Sequence, residues 1–168
     1  MLLDLSSIEV KLSQVIDANA TFNRGIFTVE IKHKFASLFE STSFEIYANK
    51  IGDDPNCYFS YSQEYLYDLT VFEEKPSSRA DINFIVKTIL VLESEWSGNF
   101  KEIIDDFQKL LVANAINKVL VFKCHSTELD GYIGFMNQNI KEYIGGSGNY
   151  LLISYINDMH KFIIRTAN

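Results

Sequence analysis

Ile89-Leu90-Val91-Leu92-Glu93-Ser94-Glu95-Trp96 is an apolar run that ends in two carboxylates one residue apart. Upstream, Tyr65-Leu66-Tyr67-Asp68-Leu69-Thr70-Val71-Phe72 is a second apolar and aromatic run with one acid, Asp68, in its middle. Both read as strands. Buried strands seldom carry carboxylates, because an ionised group out of water is costly unless it is paired or metal-bound. Alternation puts Glu93 and Glu95 on one face together with Ile89 and Val91. Two residues along a strand span roughly 6–7 Å, so both carboxylates reach one cleft. An antiparallel hairpin turning near Ala80–Asp81 would set Asp68 opposite Glu93. Asp68, Glu93 and Glu95 are therefore the candidate site, an oxygen-only set that suits Mg²⁺ or Mn²⁺.

Outward from these strands the chain reads as alternating helices and strands. Ser6-Ser7-Ile8-Glu9 has the form of a capping box, with Ser6 as N-cap, and Leu5, Ile8, Leu12, Val15 and Ile16 continue it as a helix over 7–18. The stretch from Phe22 to Glu40 fits both periods: Phe27, Ile31, Phe35 and Leu38 share a helical face, while Phe27, Val29 and Ile31 alternate. Its length favours helix. Phe44–Lys50 alternates as a strand, and Gly52-Asp53-Asp54-Pro55-Asn56 is a turn. After the polar segment Glu73–Asp81 and the strand Lys87–Trp96, Ser97-Gly98-Asn99 opens a helix over Lys101–Ala113. Lys118–Phe122 reads as a strand buried on both faces. A helix over 131–144 ends at Gly145-Gly146, and Tyr150–Ile156 and His160–Arg165 form a hairpin around Asn157-Asp158. The expectation is a single α/β domain over 1–168, a mixed sheet with helices on both faces.

The composition narrows the setting. Residues are 47% hydrophobic, which suits one sizeable core. No stretch approaches the roughly 18 continuous apolar residues of a membrane span, and Met1-Leu2-Leu3-Asp4 does not resemble a signal peptide. Two cysteines, Cys57 and Cys124, do not make a disulfide scaffold. A reducing, cytoplasmic setting is the simplest expectation. The net charge of −7 opposes long-range attraction to nucleic acid. A nuclease here needs a local basic surface, for which Lys75, Arg79 and Lys87 are the candidates.

With the order of elements in place, the chain resembles the PD-(D/E)xK phosphodiesterase superfamily, the restriction-endonuclease-like nucleases. The family core runs helix, three antiparallel-paired strands, helix, strand, matched here over residues 22–123. The remaining helices and strands would be additions at the two ends. The resemblance implies Asp68 as the first motif acid and Glu93 as the second, the two binding Mg²⁺ or Mn²⁺. Glu95 stands where the family has lysine, and Tyr67 where it has proline. Glu95 then becomes a further ligand or the acceptor of a proton from water. Family members sometimes supply a replacement polar residue from the following helix, where the candidates are Gln108 and Lys109. At about 100° per residue, Lys109 points nearly opposite the Ile103/Phe107/Leu110 stripe. Gln108 lies nearer its edge, which favours Gln108. The implied activity is metal-dependent hydrolysis of nucleic acid, DNA before RNA, by the chain alone, as a homodimer or with a protein partner.

Blander readings compete with this one. Three acids at the ends of apolar strands also suit a solvated sheet face, and a charge of −7 suits a non-catalytic protein that binds a basic partner, either an inhibitor or immunity-type protein or a degenerate nuclease fold that has lost catalysis. His33, His125 and His160 lack metal-ligand spacing. Cys124 and His125, adjacent on a strand, face opposite ways and make a poor nucleophile–base pair. Gly145-Gly146-Ser147-Gly148 lacks the lysine of a phosphate-binding loop. Tyr58, Tyr61, Tyr65 and Tyr67 suit a packed sheet edge better than a base-stacking platform.

Overall fold

Helix α1 (Leu5–Ala18) buries Ile8, Leu12 and Val15, the stripe that its helical spacing dictates. Its N-cap is Asp4 rather than Ser6. The Asp4 carboxylate accepts from Ser6 N at 3.1 Å, Ser6 Oγ at 2.8 Å and Ser7 Oγ at 2.6 Å, so both serines lie inside the first turn. Helix α2 (Arg24–Ala36) starts on the Asn23 side chain and buries Phe27, Ile31 and Phe35. The helical period thus prevails over the alternating one, and a 3₁₀ turn, Ser37–Phe39, closes the segment. This computed structural model describes residues 3–48, 65–79, 82–145 and 147–167. The turn at 52–56, Cys57, Tyr58, Tyr61, Ala80, Asp81 and Gly146 lie outside them.

Six strands follow in one sheet: β1 (Glu45–Ala48), β2 (Leu69–Pro76), β3 (Asn83–Glu95), β4 (Asn117–Cys124), β5 (Asn149–Ile156) and β6 (Lys161–Ala167). Helix α3 (Phe100–Val112) joins β3 to β4, and helix α4 (Leu129–Glu142) joins β4 to β5. Spatial order equals sequence order. The pairs β1–β2, β2–β3 and β5–β6 are antiparallel, while β3–β4 and β4–β5 are parallel. Two successive parallel crossovers of one hand, moving in one direction, put both helices on one face. Accordingly α3 and α4 cover Val91, Leu120, Phe122 and Leu152. Helices α1 and α2 cover Leu90, Leu92, Val119, Val121 and Ile153 on the other face. The result is a three-layer mixed α/β domain with two cores, one on each side of the sheet.

Three of the departures from the sequence pattern are informative. Strand β2 begins after Asp68 and runs on through Glu73, Glu74 and Lys75 to Pro76. Pattern reading stops at Phe72 because the extension is itself polar, and it pairs only with Asn83–Lys87, which is exposed apart from the half-buried Ile85. Before it, Tyr65–Tyr67 is a tight turn with Leu66 at φ 68°, held by Thr70 Oγ1 donating to Tyr65 O at 2.9 Å. Asp68 therefore sits at the mouth of its strand rather than in the middle. Second, Val71 pairs with Leu90 and Phe72 with Thr88, so Ile89 is the extra residue of a β-bulge. The bulge resets alternation, and Ile89 packs in the α1/α2 core instead of sharing the face of Val91. Third, α4 stops at Glu142 with Tyr143 extended as C-cap, so Gly145-Gly146 does not terminate it.

Candidate functional site

Strand β3 sets the site. Its carboxyl half is central in the sheet, so Glu93 has β2 on one side, β4 on the other and α3 across its face. The Glu93 side chain is only 5% exposed. Asp68 lies one step beyond the Leu69–Leu92 pair, level with Glu93; the pairing at Pro76–Asn83 alone would set it opposite Val91, and the two register shifts of the hairpin carry it to Glu93. The Asp68 carboxylate does not point freely into a cleft. Its Oδ2 accepts from Ser94 N at 2.8 Å and from Ser94 Oγ at 2.6 Å, and its Oδ1 lies 3.8 Å from the buried Lys32 Nζ of α2. Glu95 is buried as well, and its Oε1 accepts the N–H of Ser97 in the turn toward α3.

Helix α3 brings a cation, Lys109, to Glu93. Lys109 Nζ is 3.2 Å from Glu93 Oε1 and 2.8 Å from Asp106 Oδ1. Gln108 is exposed on the other flank of the helix. Angular distance from the apolar stripe pointed to Gln108, but a stripe has two flanks. The Asp106/Lys109 flank faces Glu93, and the lysine stem spans the gap while its end stays half in water, 51% exposed. Asp106, passed over in the sequence, is the other acid in contact with Lys109. Its signal was the i, i+3 pairing with Lys109 on the flank of a strongly amphipathic helix.

The electrostatics follow from burial. Desolvation, with repulsion from Asp68 and Asp106, outweighs Lys109 and pushes the Glu93 carboxyl up to about 7. Burial likewise raises Asp106, opposed by its bond from Lys109 and reinforced by Glu95 and Asp68. Burial alone would lower Lys109, but the bond to Asp106 and the field of Glu93 hold it above the ordinary lysine value. Tyr67 is raised by burial and by the nearby Glu93. Glu93 Oε1 has no hydrogen-bond partner although Lys109 is within contact distance. The two observations agree if the ammonium lies off the hydrogen-bonding direction and supplies charge alone.

Other candidates separate from this cluster. Lys75, Arg79 and Lys87 are exposed toward the far end of the β2–β3 hairpin, with Lys87 about 17 Å and Lys75 about 24 Å of strand rise from Asp68 and Arg79 beyond the strand end. They provide no basic surface beside the acids, because residues next to a hairpin turn are the ones farthest from the strands' open end. Cys124 is buried, and burial with Glu128 and Asp158 pushes its thiol up to about 11, which suppresses the thiolate. His160 is tied to the Tyr155 hydroxyl at 2.6 Å. A cavity of about 510 Å³ lined by Lys87, Asn114, Ala115 and Gly148 lies beyond the amino ends of β4 and β5, and no acid among the described residues lines it.

Among the described residues, no group of three or more histidine, cysteine, aspartate or glutamate side chains is arranged to hold a metal ion. No helix among them is long and apolar enough to cross a membrane. No protein-family model, curated protein or solved structure matches the chain.

Proposed function

We propose that the chain is a metal-dependent phosphodiesterase of restriction-endonuclease-like architecture, acting on nucleic acid, with Asp68, Glu93 and Lys109 as its working residues. The observation that carries the reading is the Lys109–Glu93 ion pair: α3 returns, at the second motif acid, the lysine charge that Glu95 displaces from the strand. The order α2-β1-β2-β3-α3-β4, with three antiparallel-paired strands and a parallel fourth, supports it. A metal fits on one further point. Glu93 Oε1 is a buried carboxylate oxygen with no hydrogen bond, and hard divalent cations take such oxygens while keeping several waters.

Glu93 would hold the ion, and Asp68 would join it as the second carboxylate only by giving up a bond from Ser94 or its contact with Lys32. A bound ion supplies polarisation of a phosphoryl oxygen and a lower pKa for water. Lys109 supplies positive charge toward the phosphate, on the solvent side where substrate arrives. Glu95 keeps the β3–α3 turn in shape through Ser97. The test pairs binding with cleavage. Millimolar Mg²⁺ or Mn²⁺ raises the melting temperature at pH 8, as any ligand of the native state does. Asp68→Ala and Glu93→Ala abolish that rise and the metal-dependent cleavage of single- or double-stranded DNA. A melting curve indifferent to both ions sinks the proposal.

One observation favours a second reading, a non-catalytic acidic protein that binds a basic partner. Asp68 Oδ2 already takes two hydrogen bonds from Ser94, as a purely structural tether between β2 and β3 would. That reading predicts no metal response, no cleavage, and salt-sensitive binding to a cationic protein.

A further inference from the structure

Independently of the catalytic reading, we propose that two copies of the chain associate through the free edge of β3, pairing antiparallel about Phe84 across a twofold axis. Strand β3 outruns its parallel neighbour. β4 begins with Asn117 opposite Leu90, and Ile116 N donates to Thr88 O at 3.1 Å just before it. Among the described residues, 83–87 pair with β2 alone. The place that a longer β4 would fill is open: it is the cavity of about 510 Å³ beside 85–88, bounded by 114–116 and 147–149. A bare edge of this kind is a template for strand addition, and proteins blunt such edges with charge. The outer edge of β6 is blunted in that way, with Lys161 and Arg165 exposed and Arg165 Nη1 donating to Ile164 O at 3.0 Å. Ile82-Asn83-Phe84-Ile85-Val86 contains no charged residue.

The backbone pattern and the side chains of this stretch both fit a second copy of itself. Ile82 O accepts from Ser77 N at 2.9 Å, so Ile82 and Phe84 turn their backbone groups toward β2, while Asn83 and Ile85 turn theirs outward. Pro76, which has no N–H to offer, faces Asn83, as a non-bonded pair allows. Set antiparallel about Phe84, Asn83 of each copy meets Ile85 of the other, and both outward-facing pairs can exchange their backbone bonds. Alternation puts Ile82, Phe84 and Val86 on one face, where they are 44%, 50% and 41% exposed. In the same register Ile82 meets Val86 of the second copy, at the mouth of its cavity, and Phe84 meets its own counterpart. The half-exposed apolar side chains thereby cover one another with no charge brought against a like charge. Val86 is the extra residue of the second register shift, so the strand bends there and the pairing ends. A contact that uses the same patch on both copies closes at a dimer.

The full chain is followed by sedimentation equilibrium from micromolar concentration up to about 0.5 mM, the range in which a small contact becomes populated. Wild type should pass from monomer to dimer and stop there. Because Phe84 meets itself, Phe84→Glu and Phe84→Lys should each weaken the dimer at least about tenfold through like charges. An equal mixture of the two should restore it, which a fault in folding would not do. Asn83→Pro loses an N–H that faces outward, so it should weaken the dimer as much while melting near wild type at low concentration. It carries the test alone should the Phe84 variants misfold. A wild type that stays monomeric at every concentration overturns the proposal and leaves the edge to a different strand. Growth beyond the dimer overturns it too, as does a dimer indifferent to Phe84→Glu and Asn83→Pro, or a mixture of folded Phe84 variants that stays monomeric. Metal binding and cleavage have their own tests and are untouched by any of these results.

Discussion

Replacing Glu93 with glutamine, measured at two pH values in the presence of a chelator, isolates the energy stored in the buried carboxyl. In the fold its pKa is about 7 against an ordinary 4.5. The folded state therefore holds a proton that the unfolded chain has released. For a group raised in this way, the stabilisation is full below about pH 4.5 and disappears as the pH climbs through about 7. Each tenfold change in proton affinity between the folded and unfolded chain is worth about 1.4 kcal/mol. Integrated between pH 5 and pH 8, the Glu93 contribution falls by roughly 2–3 kcal/mol. Glutamine has nearly the same shape and no charge at either pH, so Glu93→Gln escapes the loss. Melting of wild type and variant is compared by calorimetry, and other titrating groups cancel in the difference. At about 2–4 °C per kcal/mol for a domain of this size, the variant should gain roughly 5–10 °C on wild type between pH 5 and pH 8. A difference that stays flat, or moves toward wild type, refutes the argument that burial and the neighbouring acids outweigh Lys109 at Glu93. Millimolar Mg²⁺ at pH 8 should narrow the gap, because only wild type has the carboxylate to bind it.

Three further outcomes follow from other contacts. Lys109→Met removes the cation that touches both Glu93 and Asp106; since the lysine is half-exposed, the cost is about 1 kcal/mol, seen as a slightly lower melting temperature at pH 8, together with loss of cleavage. Lys118 is fully buried on β4, and its Nζ donates to the Tyr150 hydroxyl at 3.0 Å. Tyr150→Phe should cost about 1–3 kcal/mol in urea titration at pH 7, whereas the double variant Tyr150→Phe/Lys118→Met should recover most of it, because no buried polar group is left over. Gly148 adopts φ 123°, and a β-carbon there would lie 2.5 Å from Ala115 O. Gly148→Ala should lower stability by on the order of 1–3 kcal/mol, and an alanine variant that melts like wild type would contradict that geometry.

What could be read in the sequence depended on how far each residue's signal reached. Ile103, Phe107 and Leu110 repeat at helical spacing, so α3 and its buried face were plain. The continuous run Val119–Phe122 likewise marked β4 as a strand with no wet side. Asp68 and Glu93 stood out because a carboxylate within an apolar run demands a reason. Asp106 did not, because an acid on an amphipathic helix is ordinary until something packs against it. Ile89 looked like a neighbour of Val91 and Glu93, since alternation assumes an unbroken ladder. A bulge is a property of two strands together and leaves no mark in one.

The sequence by itself determined the order of elements, the hydrophobic faces and the pair of strand acids, since all of these rest on local periodicity and on the cost of burying charge. Only the tertiary structure decided which charge meets Glu93. Helical periodicity places Gln108 and Lys109 on opposite flanks of α3 but does not say which flank lies over β3. That depends on how α3 settles on the sheet between β3 and β4. The same docking placed Asp106 beside Lys109 at the buried carboxylate, and hairpin geometry carried Lys75, Arg79 and Lys87 away to the far end. Periodicity is a property of one segment, whereas the neighbours of a charge belong to the packing of several.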